Sequence, residues 1–296
     1  MPPLNPYPQL ARDFAALLES GRDFPLGNLP FPDYSAPAEG APVVLIFSPH
    51  PDDEVIIGAW PFRLARERGW RVVNVAVTQG SRKDRQAARL EELRACCRYA
   101  GFELATLGSS GLEGLHLGNR AGNPAHWNAA VSEILAVLKR YGPSAVLFPH
   151  ETDRNTTHVG VHFLLMDALQ RMEDTFSCAV IETEFWGAMD TPNVMLEVSP
   201  GDLGVLLSAL SFHEGEVRRN PYHLRTAAWM IDNVRRGGEL VGKQGAAPPD
   251  FAYATLYRLR RWQAGRLQPA LREGLFLSRH DDVEAPLRAV LAGSSP

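Results

Sequence analysis

Cysteine, net charge and long apolar runs are all scarce in this sequence of 296 residues. Its three cysteines, Cys96, Cys97 and Cys178, have neither the number nor the spacing of a disulfide framework or a cysteine-type zinc site. A net charge of -4 argues against a general nucleic-acid binder. No apolar run approaches the roughly 20 residues that span a bilayer, and no secretory signal is recognisable. We therefore expect a cytoplasmic protein of a reducing compartment, with no membrane span and no nucleic-acid partner.

A glycine-rich phosphate-binding turn is also missing. No G-x-G-x-x-G follows the first predicted strand, which counts against dinucleotide binding. The sequence has no internal repeats. Its hydrophobic content of 45% and charged content of 22% are those of an ordinary globular protein. A chain of this length buries one large core, alone or with an appendage.

Strands and helices alternate along residues 43–172, which predicts an α/β fold. The predicted strands are 43–47, 72–77, 103–107, 145–148, 179–185 and 194–198; the predicted helices are 55–68, 82–99, 126–141, 159–171, one opened by Ser199-Pro200, and 221–236 ended by Gly237-Gly238. This alternation favours a Rossmann-like, mainly parallel sheet flanked by helices. We divide the chain into an N-terminal arm (1–41), a Rossmann-like core (42–200) and a smaller C-terminal α+β extension (201–296). The extension either belongs to the same domain or forms a small subdomain that shapes a pocket.

A histidine and three consecutive acids follow the first predicted strand, in the segment Ser48–Glu54. Ligands of open α/β sheets bind at the carboxyl ends of the strands. His50 and Asp53 offer an imidazole and a carboxylate, two ligand types that zinc accepts, and Asp52 is free to handle a proton. The acids alone would also suit the N-terminus of a helix. That simpler interpretation does not explain the histidine.

A second polar group follows the predicted strand 145–148, at the same edge of the sheet. It contains His150, His158 and His162. A catalytic zinc site usually has three protein ligands, and one of these histidines is a candidate for the third. His158 and His162 share a helical face because residues four apart are neighbours. His150 lies closer to the strand and is a candidate supporting residue.

The segment His50-Pro51-Asp52-Asp53-Glu54 resembles the hallmark of the LmbE-like (PIG-L-type) family of metal-dependent N-deacetylases. The resemblance implies that His50 and Asp53 bind zinc and that Asp52 is the general base. It also implies a third ligand at His158, with His162 as the runner-up. It further implies one Zn²⁺ per chain, with another divalent metal as the alternative. The implied reaction removes an N-acyl group, most often acetyl, from an amino sugar or its conjugate.

One position departs from the family pattern. Many relatives carry a histidine three residues before the third ligand, where this chain has Asn155. An asparagine donates a hydrogen bond to an oxyanion but cannot act as an acid. We therefore expect Asn155 or His213, from the late segment Ser211–Glu214, to assist the oxyanion. The proton for the leaving amine comes either from protonated Asp52 or from His213.

The substrate-binding residues are less strongly indicated. Ser81, Arg85 and Arg89 follow the second predicted strand at the same edge and are candidates, although the arginines also suit a solvated helix face. Trp186 and the segment 216–223 are candidates for the pocket mouth. The alternative functions are a non-catalytic carbohydrate- or nucleotide-binding domain and a metal phosphoesterase. The sequence leaves open whether the chain forms a homo-oligomer.

Overall fold

A mixed β-sheet runs through the centre of the protein in the computed structural model, which describes residues 5–108 and 110–293. The nine strands of the described chain are β1 (Val43–Ser48), β2 (Arg71–Ala76), β3 (Glu103–Thr106), β4 (Ala145–Pro149), β5 (Ser177–Thr183), β6 (Val194–Glu197), β7 (Ala254–Gln263), β8 (Arg266–Pro269) and β9 (Leu275–Leu277). Their order is β3-β2-β1-β4-β5-β7-β6-β9, with β8 paired to β7. The first five strands are parallel, and β7 is antiparallel to both β5 and β6.

Helices cover both faces of the sheet. The helices are α1 (Tyr7–Ser20), α2 (Asp53–Ile56), α3 (Ala59–Arg68), α4 (Gln86–Ala100), α5 (Leu117–Gly122), α6 (Pro124–Tyr141), α7 (Thr156–Leu169), α8 (Pro200–Leu210), α9 (Glu214–Val217), α10 (Tyr222–Gly242) and α11 (Ala285–Ala292). Alternate side chains of β1 enter two different cores, because successive residues of a strand point to opposite faces. Val44 and Ile46 pack with α3, α4 and α8, whereas Leu45 and Phe47 pack with α6 and α7. The predicted Rossmann-like, mainly parallel sheet is confirmed.

Two further features concern the ends of the chain. Strands β7, β8 and β9 come from residues after 200 and pair within the same sheet as the strands of the predicted core. The beginning of the predicted arm (1–4) and the end of the predicted extension (294–296) lie outside the described residues. Within the part that is described, no helix combines the length and apolarity needed to cross a membrane.

The strand order reverses between β1 and β4, and this reversal positions the candidate site. From β1 the chain moves outward through β2 and β3, whereas β4 is followed on the other side by β5. A crevice therefore opens between the carboxyl ends of β1 and β4, where open α/β sheets bind ligands. The segment with His50 follows β1, and the segment with His158 follows β4.

The helix predicted to end at Gly237-Gly238 instead continues to Gly242, as α10. The two glycines serve close packing rather than termination. A Cβ on Gly237 would lie 2.8 Å from both Leu256 Cδ2 and Met195 Cε, and one on Gly238 would lie 3.1 Å from Pro248. Gly237 thus lies close to side-chain ends of β6 and β7, and Gly238 lies close to the backbone of Pro248.

Candidate metal centre

Three donor atoms converge at the crevice between β1 and β4. His50 Nδ1 lies 3.2 Å from His158 Nε2 and 3.5 Å from Asp53 Oδ2, and His158 Nε2 lies 3.3 Å from Asp53 Oδ2. A tetrahedral zinc ion with bonds of about 2.0–2.1 Å separates its ligand atoms by about 3.3–3.4 Å. The three spacings therefore match one face of a zinc coordination tetrahedron, and the donor types are those that zinc accepts.

The sequence around each of the three residues fixes its position. His50 follows the end of β1, and its backbone N–H donates to Asp53 Oδ2 at 2.9 Å. Asp53 opens the short helix α2. Asn155 caps α7, because its Oδ1 accepts hydrogen bonds from the backbone of Thr157 and His158. The cap places His158 in the first turn, facing the end of β1.

The charges around His158 favour a cation between the three donors. Burial opposes a charged imidazole, but the Asp53 and Asp153 carboxylates raise the pKa of His158 to about 10. Burial likewise raises the pKa of Asp53, but His158 and His50 lower it below its usual range. The two carboxylates stabilise a positive charge at His158, either a proton on the imidazole or a bound metal ion. Binding of a metal would displace the proton.

Asp153 faces the far ring nitrogen of His158 at a distance longer than a direct hydrogen bond. Its Oδ1 lies 3.6 Å from His158 Nδ1 and accepts the backbone N–H of Asn155 at 2.8 Å. Its Oδ2 accepts the backbone N–H groups of Trp186 and Gly187 at 3.2 and 3.3 Å. Metal-binding histidines usually have such an acceptor on the far ring nitrogen, where it fixes the tautomer and the ring orientation. Asp153 also ties the loop that carries Trp186 to the centre.

Asp52 has an unusual backbone conformation beside the three donors. Its φ is 115° and its ψ is −31°, a region that costs a residue other than glycine about 1–3 kcal/mol. Burial, followed by the neighbouring Asp53 carboxylate, raises the pKa of Asp52 well above its usual range. A cation at the centre would favour the carboxylate form instead. Such strain at the wall of a pocket is typical of functional residues.

A pocket of about 190 Å³ opens directly onto this centre. It is lined by His50, Asp52, Asp53, Gly80, Ser81, Arg89, Asn155, Phe185, Trp186, Glu216, Arg219 and Tyr222. A neighbouring pocket of about 270 Å³ shares His50, Gly80 and Ser81 with it. Phe185, Trp186 and Tyr222 form an aromatic cluster with ring centroids 4.8–5.8 Å apart. The pocket therefore combines carboxylates and arginines with one aromatic wall.

Several of the predicted substrate residues line this pocket. Ser81, Arg89 and Asn155 are in its wall, and so are Trp186 and part of the predicted segment 216–223. Arg89 also donates to the carbonyl oxygen of Pro51 at 3.0 Å. Arg85 is not among the lining residues. Its guanidinium lies 3.6 Å from the Glu216 carboxylate.

The remaining histidines occupy supporting positions. His162 Nδ1 is 3.0 Å from the carbonyl oxygen of Pro149, so the runner-up ligand is turned to the backbone of β4. His150 Nε2 lies 2.8 Å from the carbonyl oxygen of Gly187, in the loop that Asp153 also holds.

His213 is 1% exposed and lies 2.7 Å from Glu54, and it is absent from the pocket wall. His213 therefore lies outside the wall of this pocket, and its expected role as a proton donor stays a prediction. Its ring is directed to the buried Glu54 carboxylate instead. No local sequence pattern predicts the pairing of His213 with Glu54, because the two residues are 159 positions apart.

Fold and site together define an α/β protein with a His/Asp/His centre at the reversal of its strand order. Residues 45–169 match the family model described as PIG-L: GlcNAc-PI de-N-acetylase. The chain therefore carries a PIG-L (LmbE-like) domain, and the resemblance inferred from the hallmark segment is confirmed. The matched region includes Asp52 and all three donor residues.

Three solved structures with the same fold bear on the chemistry of the site. N,N'-diacetylchitobiose deacetylase from Pyrococcus horikoshii shares 17% identity, with 90% of this chain and 96% of that chain covered and a TM-score of 0.54. The zinc-inhibited form of teicoplanin deacetylase Orf2 shares 14% identity, with 74% and 98% covered and a TM-score of 0.54. GalB, the 4-carboxy-2-hydroxymuconate hydratase of Pseudomonas putida KT2440, shares 16% identity, with 74% and 95% covered and a TM-score of 0.54.

These similarities establish the fold and leave the reaction open. A search of curated proteins found no significant match to the chain. Deacetylases and a hydratase are about equally similar to it in structure. A shared fold does not fix an activity, so the reaction has to be argued from the site.

Proposed function

We propose that the protein is a zinc-dependent hydrolase that removes an N-acyl group, most simply acetyl, from an amino sugar or its conjugate. The observation that carries the proposal is the tetrahedral spacing of His50, Asp53 and His158 beside Asp52. All four residues lie in the region that matches the GlcNAc-PI de-N-acetylase model. A carboxylate next to a metal-type centre is the arrangement that amide hydrolysis requires.

The three donor residues would hold the zinc ion and leave room for substrate in the adjoining pocket. Lewis acidity that polarises a carbonyl and activates water at neutral pH is the chemistry that zinc supplies when bound. Asp52 then accepts a proton from the attacking water and returns it to the leaving amine. Because Asp52 acts first as base and then as acid, the reaction needs no separate acid such as His213.

Asn155 is placed to stabilise the developing oxyanion. Its Oδ1 is engaged by the cap of α7, so the side chain is fixed and the Nδ2 amide group is the remaining donor. The residue lines the same pocket as Asp52 and Asp53. A fixed donor of this kind stabilises negative charge without reorganising during the reaction.

The pocket suits a sugar derivative. Trp186 is 48% exposed at the aromatic wall, where its face is available to the apolar C–H face of a pyranose ring. Ser81, Arg89 and Arg219 line the same pocket and offer hydrogen-bond donors to hydroxyl groups. Aromatic surface combined with a few fixed polar groups is the usual composition of a small-molecule site.

The proposal is tested by acetate release from a panel of N-acetylated sugars and conjugates, with phosphate monoesters included in parallel. We expect the wild type to release acetate, and Asp52→Asn to lower kcat by about 10²–10⁴ while retaining zinc. Asparagine tolerates positive φ, so the variant should fold. Asp84→Asn, at an exposed acid paired with Arg82, is the matched control and should keep full activity.

Three results would contradict the proposal. Full activity in Asp52→Asn would remove the general base. Phosphate release without acetate release would favour a metal phosphoesterase. Saturable binding of sugars without turnover by any preparation loaded with zinc would favour a carbohydrate-binding domain.

A further inference from the structure

Two side chains, Glu54 and Arg89, hold the peptide group that precedes the strained Cα of Asp52. Its N–H donates to Glu54 Oε2 at 2.9 Å, and this bond is buried. The neighbouring peptide groups hold the turn less tightly, with Asp53 N 3.3 Å from His50 O and Ile56 N 3.4 Å from Asp52 O. A conformation of this kind persists only where its surroundings enforce it. The Glu54 carboxylate bonds the N–H of this peptide group, and Arg89 bonds its carbonyl oxygen at 3.0 Å.

Glu54 is in turn held by His213. The carboxylate is fully buried, and its Oε1 lies 2.7 Å from His213 Nε2. Glu54, His213 and Cys96 form a group with the residue types of a metal site. However, 2.7 Å is the length of a direct hydrogen bond and is well below the 3.2–3.5 Å spacings of the candidate centre. The pair is therefore a hydrogen-bonded support rather than a second metal centre.

The tautomer of His213 follows from its surroundings. Its Nδ1 is buried and has no hydrogen-bond partner among the described residues. Buried N–H groups without a partner are rarer than buried acceptors without one. We therefore place a proton on Nε2, which donates to Glu54.

His213 is itself fixed by the junction of α8 and α9. Its backbone N–H donates to Leu210 O at 3.1 Å, and its carbonyl oxygen accepts from Glu216 and Val217 at 3.0 and 2.9 Å. This junction lies beyond residue 169, where the match to the family model ends. The same short helix that carries Glu216 in the pocket wall thus reaches the hallmark segment from the other side.

We propose that Glu54 and His213 are positioning residues that hold Asp52 in the conformation in which its carboxylate faces the pocket. The inference rests on the proposed function for its kinetic consequence, but the conformational claim is independent of it. A structural element outside the family-matched region would then control the geometry of the general base. Neither residue touches the substrate.

Two substitutions at His213 separate positioning from other roles. His213→Gln places a donor amide near the position of Nε2 and keeps the bond to Glu54, whereas His213→Leu removes it. If His213 positions Asp52, the leucine variant should lose about 10–100-fold in kcat with KM and zinc content unchanged. The glutamine variant should recover to within about threefold of the wild type. If His213 is a proton donor, both variants should be equally impaired, which would overturn the inference.

A matched control removes a polar group from the same junction without touching the hallmark segment. Ser211 donates to Ser208 O at 2.6 Å and accepts the backbone N–H of Gly27 at 3.3 Å. Ser211→Ala should lower the melting temperature but leave kcat unchanged. An equal loss of kcat in Ser211→Ala and His213→Leu would mean that general destabilisation explains the loss of kcat, and it would contradict the inference.

Amide hydrogen exchange of Asp52 provides a readout that needs no substrate. We expect slow exchange of this N–H in the wild type and in His213→Gln, and exchange at least tenfold faster in His213→Leu. Unchanged exchange in His213→Leu would overturn the inference even in an active enzyme. If the wild type hydrolyses none of the substrates, the proposed function fails while the exchange experiment still decides the positioning claim.

Discussion

Replacing Asp153 by asparagine tests how the protein prepares His158 for a metal. The substitution removes the negative charge 3.6 Å from His158 Nδ1 and leaves one acceptor oxygen where the carboxylate has two. That oxygen can still accept the N–H groups of Trp186 and Gly187, which now bond to Oδ2. The bond from the Asn155 N–H, at 2.8 Å, is lost. The change therefore separates the support of His158 from the support of the loop.

The expected loss of zinc affinity is about 10–100-fold, the usual effect of removing such a partner. This corresponds to about 1.4–2.7 kcal/mol. The lost hydrogen bond should also lower the free energy of unfolding by about 1–2 kcal/mol. The dissociation constant is measured by competition with a fluorescent zinc chelator at fixed pH, and stability is measured by urea unfolding of the zinc-free protein.

Asp167→Asn is the matched control for this prediction. Asp167 also accepts several hydrogen bonds, from Arg120 at 2.7 and 2.9 Å and from Trp127 Nε1 at 2.8 Å, but it lies on the other side of α7. The Asp167→Asn variant should show a comparable decrease in the free energy of unfolding and an unchanged dissociation constant for zinc. The reasoning is refuted if Asp153→Asn binds zinc within threefold of the wild type, or if both variants lose affinity equally.

Two further predictions concern stability. Gly160→Ala, on α7, should destabilise the protein by about 1–3 kcal/mol, because the added Cβ would lie 2.3 Å from the backbone carbonyl oxygen of Leu115. Gly204→Ala, in open space on α8, should stabilise it by up to about 1 kcal/mol in the same urea titration. Equal effects of the two would contradict the packing argument. Burial raises the pKa values of the Cys96, Cys97 and Cys178 thiols, so only the unfolded chain ionises them above about pH 8.5. Stability should be unaffected by the thiols below that pH and should fall above it by up to about 1.4 kcal/mol per pH unit for each thiol; alanine variants that keep the full slope would disprove this.

The sequence was sufficient for the parallel half of the sheet and for the centre. β1 and β4 are short apolar runs followed by polar turns, and the carboxyl ends of neighbouring parallel strands meet at one edge. His50 and the group His150, His158 and His162 could therefore be predicted to lie at one edge of the sheet, whereas the choice of His158 among the three came from the family resemblance. The roles assigned to His50 and His158 as ligands stay a prediction until metal binding is measured.

Strands β7, β8 and β9 were not predicted from the sequence, for a physical reason. β7 carries Arg258 and Arg260, whose charges suggest an exposed segment, yet the strand lies between β5 and β6. Both arginines pair with Glu182 on β5, so their charges are compensated across the strands. Pairing between residues this far apart in the chain leaves no local signal, and the same is true of Glu54 and His213.

The central claim is that His50, Asp53 and His158 form a zinc site at the reversal of the strand order. The most direct test is elemental analysis of the purified wild type, His158→Ala and His162→Ala after zinc is offered and the excess is removed. His162 is the matched control, because it lies one turn along α7 and is bound to the carbonyl oxygen of Pro149. The account predicts about one zinc per chain in the wild type and in His162→Ala, and close to none in His158→Ala. Near-zero zinc in the wild type, or zinc retained in His158→Ala and lost in His162→Ala, would contradict it.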